Sequence, residues 1–243
     1  MASMTLFVLG AVPLYGGTDT FSDGNDDGWT QESIVGTGAW SYPNGNSYRI
    51  QAGVSPLPGL LGPGRAGSIW NVQPYQNARV GVDLVSWDDG LDQSFGIVTR
   101  TRQVGLGTFD GYAFVYSPDD DVVAITRLDN EIPAILGTAP LVLNPALDYR
   151  LEFTNVGSSL TGQVFSLGNL STPLVTVTAN DSTYVEGEVG LFVTDISAAF
   201  DQTADATFDN FFAIVPEPSA LLLAVLGLAV LAAGRHRHRR DLA

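Results

Sequence analysis

Oxygen supplies most of the chemistry open to this chain. It has 26 aspartates and glutamates and no cysteine, and its two histidines, His236 and His238, lie close to the C-terminus. Before that tail there is no imidazole to act as a general base and no thiolate or lysine amine to act as a nucleophile, which excludes Ser-His-Asp chemistry and histidine or thiolate metal sites. Paired carboxylates remain, the machinery of glycosidases. Glu186-Gly187-Glu188 places two of them at strand spacing, although a hairpin turn with two solvated acids is the preferred reading. Asp23-Gly24-Asn25-Asp26-Asp27-Gly28 matches the first half of a calcium loop, with oxygen ligands at the alternate positions Asp23, Asn25 and Asp27. The second half fails, because Ile34 stands where a bidentate glutamate belongs, so the loop is no EF-hand. Its alternative reading is a plain Asp/Asn/Gly turn. Asp119-Asp120-Asp121, and Asp88, Asp89 and Asp92, have the same two readings.

Sugar recognition would draw on a second set of residues. A pyranose stacks its C–H face on an aromatic ring, while its hydroxyls bond to amides and carboxylates. Trp40, Tyr42, Asn44, Trp70 and Trp87 are the candidate contacts, with Tyr48 and Tyr75 also available. Trp40-Ser41-Tyr42-Pro43-Asn44-Gly45-Asn46 is the most loop-like of these stretches and the first choice.

These residues need a frame. The 243 residues carry a formal charge of −15, and lysine is absent. Setting aside Arg235, Arg237, Arg239, Arg240, Glu217 and Asp241 leaves 7 arginines against 24 acids, or −17. Such a surface repels phosphate backbones, which excludes nucleic acid as a partner and makes divalent cations the natural counterions. Without cysteine there is no disulfide framework.

The tail is a unit of its own. Val215-Pro216-Glu217-Pro218-Ser219 stops the preceding strand, because proline fixes φ and removes backbone donors. From Ala220 to Ala233 every residue is apolar or glycine, and an arginine cluster follows. We expect a transmembrane helix over 219–234, short of the roughly 20 residues that span a bilayer and completed by snorkelling arginines. The positive-inside rule puts Arg235, Arg237, Arg239 and Arg240 in the cytoplasm and everything before Pro216 outside. This order of parts resembles the PEP-CTERM sorting signal of Gram-negative bacteria that make extracellular polysaccharide. The resemblance covers 215–240 and implies Pro216-Glu217-Pro218 as the sorting motif. It also implies an exosortase, a membrane-embedded cysteine peptidase, as partner, with the inner membrane as a way station to the cell surface or matrix.

Residues 1–16 hold the apolar stretch Met4–Val12 without a basic region before it and read as a truncated signal peptide or a first strand. Residues 17–214 then read as strand after strand. The clearest alternation is Arg79–Trp87, where Val80, Val82 and Leu84 share one face. Tyr48–Ala52, Ser68–Val72, Phe95–Thr99, Tyr112–Tyr116, Val122–Thr126, Tyr149–Phe153, Ser159–Phe165, Leu174–Thr178, Gly190–Val193 and Ala206–Phe212 repeat the pattern between turn formers. Gly53–Gly67 and the stretch around Trp40 read as loops. About a dozen short strands predict an all-β, two-sheet antiparallel sandwich. The opening Asp19-Thr20-Phe21-Ser22-Asp23-Gly24 with Asp27-Gly28-Trp29, the late Gly187–Val193 and the closing Ala206–Phe211 resemble the concanavalin A-like lectin/glucanase or laminin G-like jelly roll. That resemblance implies a structural calcium between the first and last strand regions, which adds Asp209 to Asp23, Asn25 and Asp27. The Glu-x-Asp-x-Glu pattern of the related glucanases is missing. The expected protein is therefore an exported, non-enzymatic module that associates with extracellular polysaccharide. The alternatives are a carbohydrate hydrolase built on Asp/Glu pairs and a purely structural surface protein.

Overall fold

Val80, Val82 and Leu84 face inward with no exposed surface, while Arg79 between the strand start and Val80 stays on the outside. The same two-residue period runs through residues 16–216, the part of the chain described by this computed structural model. Its strands begin with β1 (Gly17–Asp19), β2 (Trp29–Val35), β3 (Gly38–Ser41), β4 (Tyr48–Ala52) and β5 (Arg65–Tyr75). They continue with β6 (Ala78–Trp87), β7 (Gln93–Arg102), β8 (Asp110–Ser117), β9 (Val122–Asp129) and β10 (Ile132–Pro140). The last are β11 (Tyr149–Val156), β12 (Ser159–Ser166), β13 (Val175–Asn180), β14 (Gly187–Asp195) and β15 (Ala204–Ile214). The helical pieces are a 3₁₀ turn at Pro43–Gly45 and a single α turn, α1 (Pro58–Leu61).

The first sheet runs β13-β12-β11-β6-β15-β4-β3, with β1 pairing against β15. The second runs β10-β9-β8-β7-β14-β5-β2. The pairings are antiparallel, and the result is the two-sheet sandwich expected from the strand pattern. Between the sheets, Tyr48, Ile50, Leu84, Phe153 and Phe208 from the first meet Phe95, Ile97, Phe114, Ile125 and Leu191 from the second. Trp70 and Trp87 belong to this core, each with only 7% of its surface exposed.

Two strands break their period. In β6, Leu84 and Trp87 both face inward although three residues apart, and the pairing with β15 shifts register there. In β15, Phe208 and Phe211 do the same, with a second shift between Asp209 and Phe212 and Asn210 at a φ of 49°. Both are bulges, and each turns extra residues to the outer face of the first sheet.

Three strands differ from expectation. Trp29–Val35 forms β2 in a stretch the strand pattern leaves unassigned, Gly38–Ser41 forms β3 where the sequence reads as loop, and Ile132–Pro140 forms β10 despite Pro133 and Pro140. All three are edge strands, where a missing amide donor costs no ladder bond. After β1 the chain leaves the extended state over Thr20–Ser22, with Phe21 at a φ of 50°.

The outer face of the second sheet is closed by the chain itself. Ile69, Val98, Ala113 and Phe192 on that face pack with Ile34, Val35 and Phe109 into a smaller cluster, which Leu61 and Val104 also cover. Arg65 fastens the cover, bonding Glu131 at 2.7 Å and the Pro63 carbonyl at 2.7 Å, while the Gly107 amide donates to the same glutamate. The first sheet keeps its outer face open.

Candidate functional site

A groove of about 590 Å³ lies on that open face. Its floor is set by alternation: Arg49 on β4 and Asp205, Thr207 and Asp209 on β15 point outward because Tyr48, Ile50, Ala204, Ala206 and Phe208 point in. The β6 bulge adds Val85 and Ser86. Asp148, just before β11, and the segment Pro43, Asn44, Asn46 and Ser47 complete the lining. Asn44 and Gly45 hold φ values of 57° and 71°, which Asn and Gly adopt at little cost, so this segment turns tightly at the rim.

The groove's charges are uneven. Arg49 meets Asp205 through both ends of its guanidinium, with Nε 2.8 Å from one carboxylate oxygen, which neutralises the one cation of the lining. Asp148 and Asp209 have no cationic partner among the described residues. Burial raises the Asp209 pKa, and the neighbouring Asp83 and Asp148 raise it further against the bond from the Asn210 amide. Opposite Asp209 on the neighbouring β6, buried Asp83 accepts from Arg150 at 2.7 Å and from Asn210 at 2.9 Å. Phe212 lies flat on Gly81, where a Cβ would come within 2.3 Å of the ring, and Arg79 and Arg150 approach the ring centre to 5.8 and 5.6 Å.

The residues singled out from the sequence are distributed unevenly around this site. Asn44 lines the groove, and so does Asp209. Trp40 on β3 and Tyr42 do not line it: both are half-buried on the core side of the first sheet, Trp40 opposite the inward Ile50 and Tyr42 against Tyr48. Trp70 and Trp87 are corrected: both rings are enclosed between the sheets, Trp70 against Trp29 and Phe211 and Trp87 with its N–H on Asp89 at 2.9 Å, so neither presents a face to a sugar. Arg49, Asp148, Asp205 and Thr207 were missed. Arg49, Asp205 and Thr207 have no sequence signal beyond being the polar alternates of strands whose pairing partners are far apart along the chain, and Asp148 lies in the turn before β11.

The Asp23–Gly28 loop has a different logic from the one its spacing suggests. Asp23 and Asn25 each accept from the backbone amide two residues on, at 3.2 and 2.9 Å, and Asp23 and Asp27 face solvent. The inward carboxylate is Asp26, which accepts from Tyr48 at 2.9 Å and Gln31 at 2.7 Å, with the Tyr42 hydroxyl close by. Burial pushes the Asp26 carboxyl up, but these donors outweigh it and hold it below its ordinary range. Tyr42 stacks on Tyr48 at 5.6 Å, so Asp26 ties this loop to the start of the Pro43–Ser47 rim. Among the described residues no three His, Cys, Asp or Glu side chains converge as a metal-binding group. Asp209 accordingly lines the groove and forms no such group with Asp23 and Asp27. Glu186 and Glu188 part company: Glu186 lies 3.7 Å from Arg102, while burial and then the charge of Glu188 raise the Glu32 pKa.

β15 ends at Ile214, and only Val215 separates it from the Pro-Glu-Pro element. Residues 215–240 are a PEP-CTERM protein-sorting motif. The expected helix over 219–234, Glu217, Pro218 and the arginines of the motif lie outside the described residues, as do residues 1–15. No helix among the described residues is long and apolar enough to cross a membrane. The sandwich ahead of the PEP-CTERM motif is similar to carbohydrate binding module CBM66 from Bacillus subtilis, with a TM-score of 0.57 and 16% identity over 77% of this chain and 95% of that one. It is also similar to lectin UEA-II complexed with galactose, at a TM-score of 0.55 and 12% identity over 82% and 97% of the two chains. The GH43 BlXynB protein from Bacillus licheniformis matches at a TM-score of 0.54 and 15% identity, over 82% of this chain and 39% of the other. At these identities the likeness is one of fold: the PEP-CTERM motif follows a jelly roll of the lectin and carbohydrate-binding-module kind. No curated protein is similar enough in sequence to count as a relative.

Proposed function

We propose that this protein is an exported, non-enzymatic module that binds extracellular polysaccharide in the groove on the first sheet. In this reading the PEP-CTERM motif delivers it by way of the inner membrane and an exosortase-type peptidase to the cell surface or matrix of a Gram-negative bacterium. The observation that supports it best is the lining of the groove: amides, hydroxyls and carboxylates converge on an open concavity large enough for sugar rings. The two bulges that shape the outer face suit a binding surface. A lectin and a carbohydrate binding module among the structural neighbours add weight to the choice of ligand. Binding of the purified protein to a polysaccharide array tests it. Retention of at least one glycan, lost on Asn44→Ala with Asn46→Ala while the melting temperature holds, is expected; retention of none sinks the reading.

A second reading, hydrolysis, draws on Asp148 and Asp209 sharing the groove, with burial raising the Asp209 pKa in the direction a general acid requires. Release of reducing ends by the protein, abolished in both Asp148→Asn and Asp209→Asn, would support it. No release from any polysaccharide that the protein retains would remove it.

A further inference from the structure

Charge accounting over the described chain carries the ligand class further, on the condition that the groove is the binding surface. Six of the seven arginines there sit in ion pairs with carboxylates, and the seventh, Arg100, spends its guanidinium on the backbone carbonyls of Gln76, Tyr184 and Gly157. Lysine is absent. Of these arginines only Arg49 lines the groove, so no other cation among the described residues stands there to meet a uronate, sulfate or phosphate group on a polysaccharide. Inside the groove Arg49 is cancelled by Asp205, so the unpaired charges are the carboxylates of Asp148 and Asp209. They stand among neutral donors and acceptors from Asn44, Asn46, Ser86 and Thr207. A site of that sign attracts a ligand carrying positive charge and rejects one carrying negative charge, because like charge brought into a partly desolvated cleft is unfavourable at close range.

We infer that the groove takes a polysaccharide bearing free amino groups, a glucosamine-type polymer whose ammonium groups meet Asp148 and Asp209 while its ring hydroxyls meet the amides and hydroxyls of the rim. Acetylation of the amine removes the charge and with it the preference. Uronate polymers are refused.

Titration calorimetry with four hexasaccharides, of glucosamine, N-acetylglucosamine, glucose and glucuronate, tests this at pH 5.5 in 150 mM salt, where a diffuse field is largely screened. The glucosamine hexamer should bind about tenfold more tightly than its acetylated form, the scale of two partly screened ion pairs, and glucuronate should bind least. Asp148→Asn with Asp209→Asn should bring that ratio close to one. Asp119→Asn with Asp120→Asn, on an exposed turn outside the groove, should leave the ratio as in the parent protein, since these residues answer only for net charge. Equal loss of preference in the two double variants would mean diffuse attraction and overturn the inference. So would tighter binding of glucuronate, or equal binding of the glucosamine and acetylated hexamers. The last two results would leave polysaccharide binding itself intact, whereas binding of none of the four hexamers or of any longer polymer would remove both.

Discussion

Asp26 shows how a single carboxylate can decide the form of a site it does not line. Its bonds to Tyr48 and Gln31 fix a loop whose other acids face water. Asp26→Ala should cost about 1 kcal/mol, the net value of hydrogen bonds to a charged group once solvent screening at this loop is allowed for. The sign of its pH dependence follows from its lowered pKa in the folded state. The stabilisation is present above the unfolded value near 4 and is lost as pH falls through the folded one. Urea melts of parent and variant should therefore converge below about pH 4 and stay apart at pH 7. A constant gap across that range would contradict the assignment. Alternation of Asp23, Asn25 and Asp27 was legible in the sequence, but which acid turns inward was not, because Tyr48 and Gln31 reach Asp26 only after β2 and β4 have paired into separate sheets.

At the scale of elements, loops and bulges are pinned by few side chains. Arg100 is 2% exposed and joins the β5–β6, β11–β12 and β13–β14 connections through three carbonyls. Arg100→Met leaves those carbonyls without donors in a buried place, and a loss of about 3 kcal/mol is expected in chemical denaturation. A loss under half that figure would mean that water replaces the arginine. Gly81 makes room for Phe212, so Gly81→Val should displace the ring and destabilise by about 1–3 kcal/mol, visible as a lower urea midpoint. A midpoint equal to the parent's would mean that the ring has another place to go. The β6 strand itself could be read directly from Val80, Val82 and Leu84. Its bulge could not, since Val85 and Ser86 share the outer face only because Leu84 and Trp87 must both reach the core.

Over the whole molecule, seven arginines in the exported part face 24 acids, and self-repulsion works against the compact state. Raising sodium chloride from 10 to about 300 mM should raise the melting temperature, because the Debye length shrinks from roughly 30 Å to well under 10 Å. A falling melting temperature would show that the ion pairs outweigh the repulsion. Calcium is tested in the same experiment at constant ionic strength. Closure of the Asp23–Gly28 loop by its own amides predicts equal melting temperatures with calcium and with chelator, and a rise with calcium would instead assign the ion to Asp23, Asn25 and Asp27.

The sequence by itself determined the strand period, the absence of histidine ahead of the tail and of thiols throughout, the acidic surface and the terminal sorting motif, because each is set by residue type, local spacing or charge. Tertiary structure decided which aromatics are walled in and which polar residues meet. Trp70 and Trp87 lie in periodic strands either way, and only the stacking of two sheets buries them. Arg49 and Asp205 are 156 residues apart, and nothing local to either one announces their contact; pairing of β4 with β15 puts them on one face, and that long-range register makes the groove.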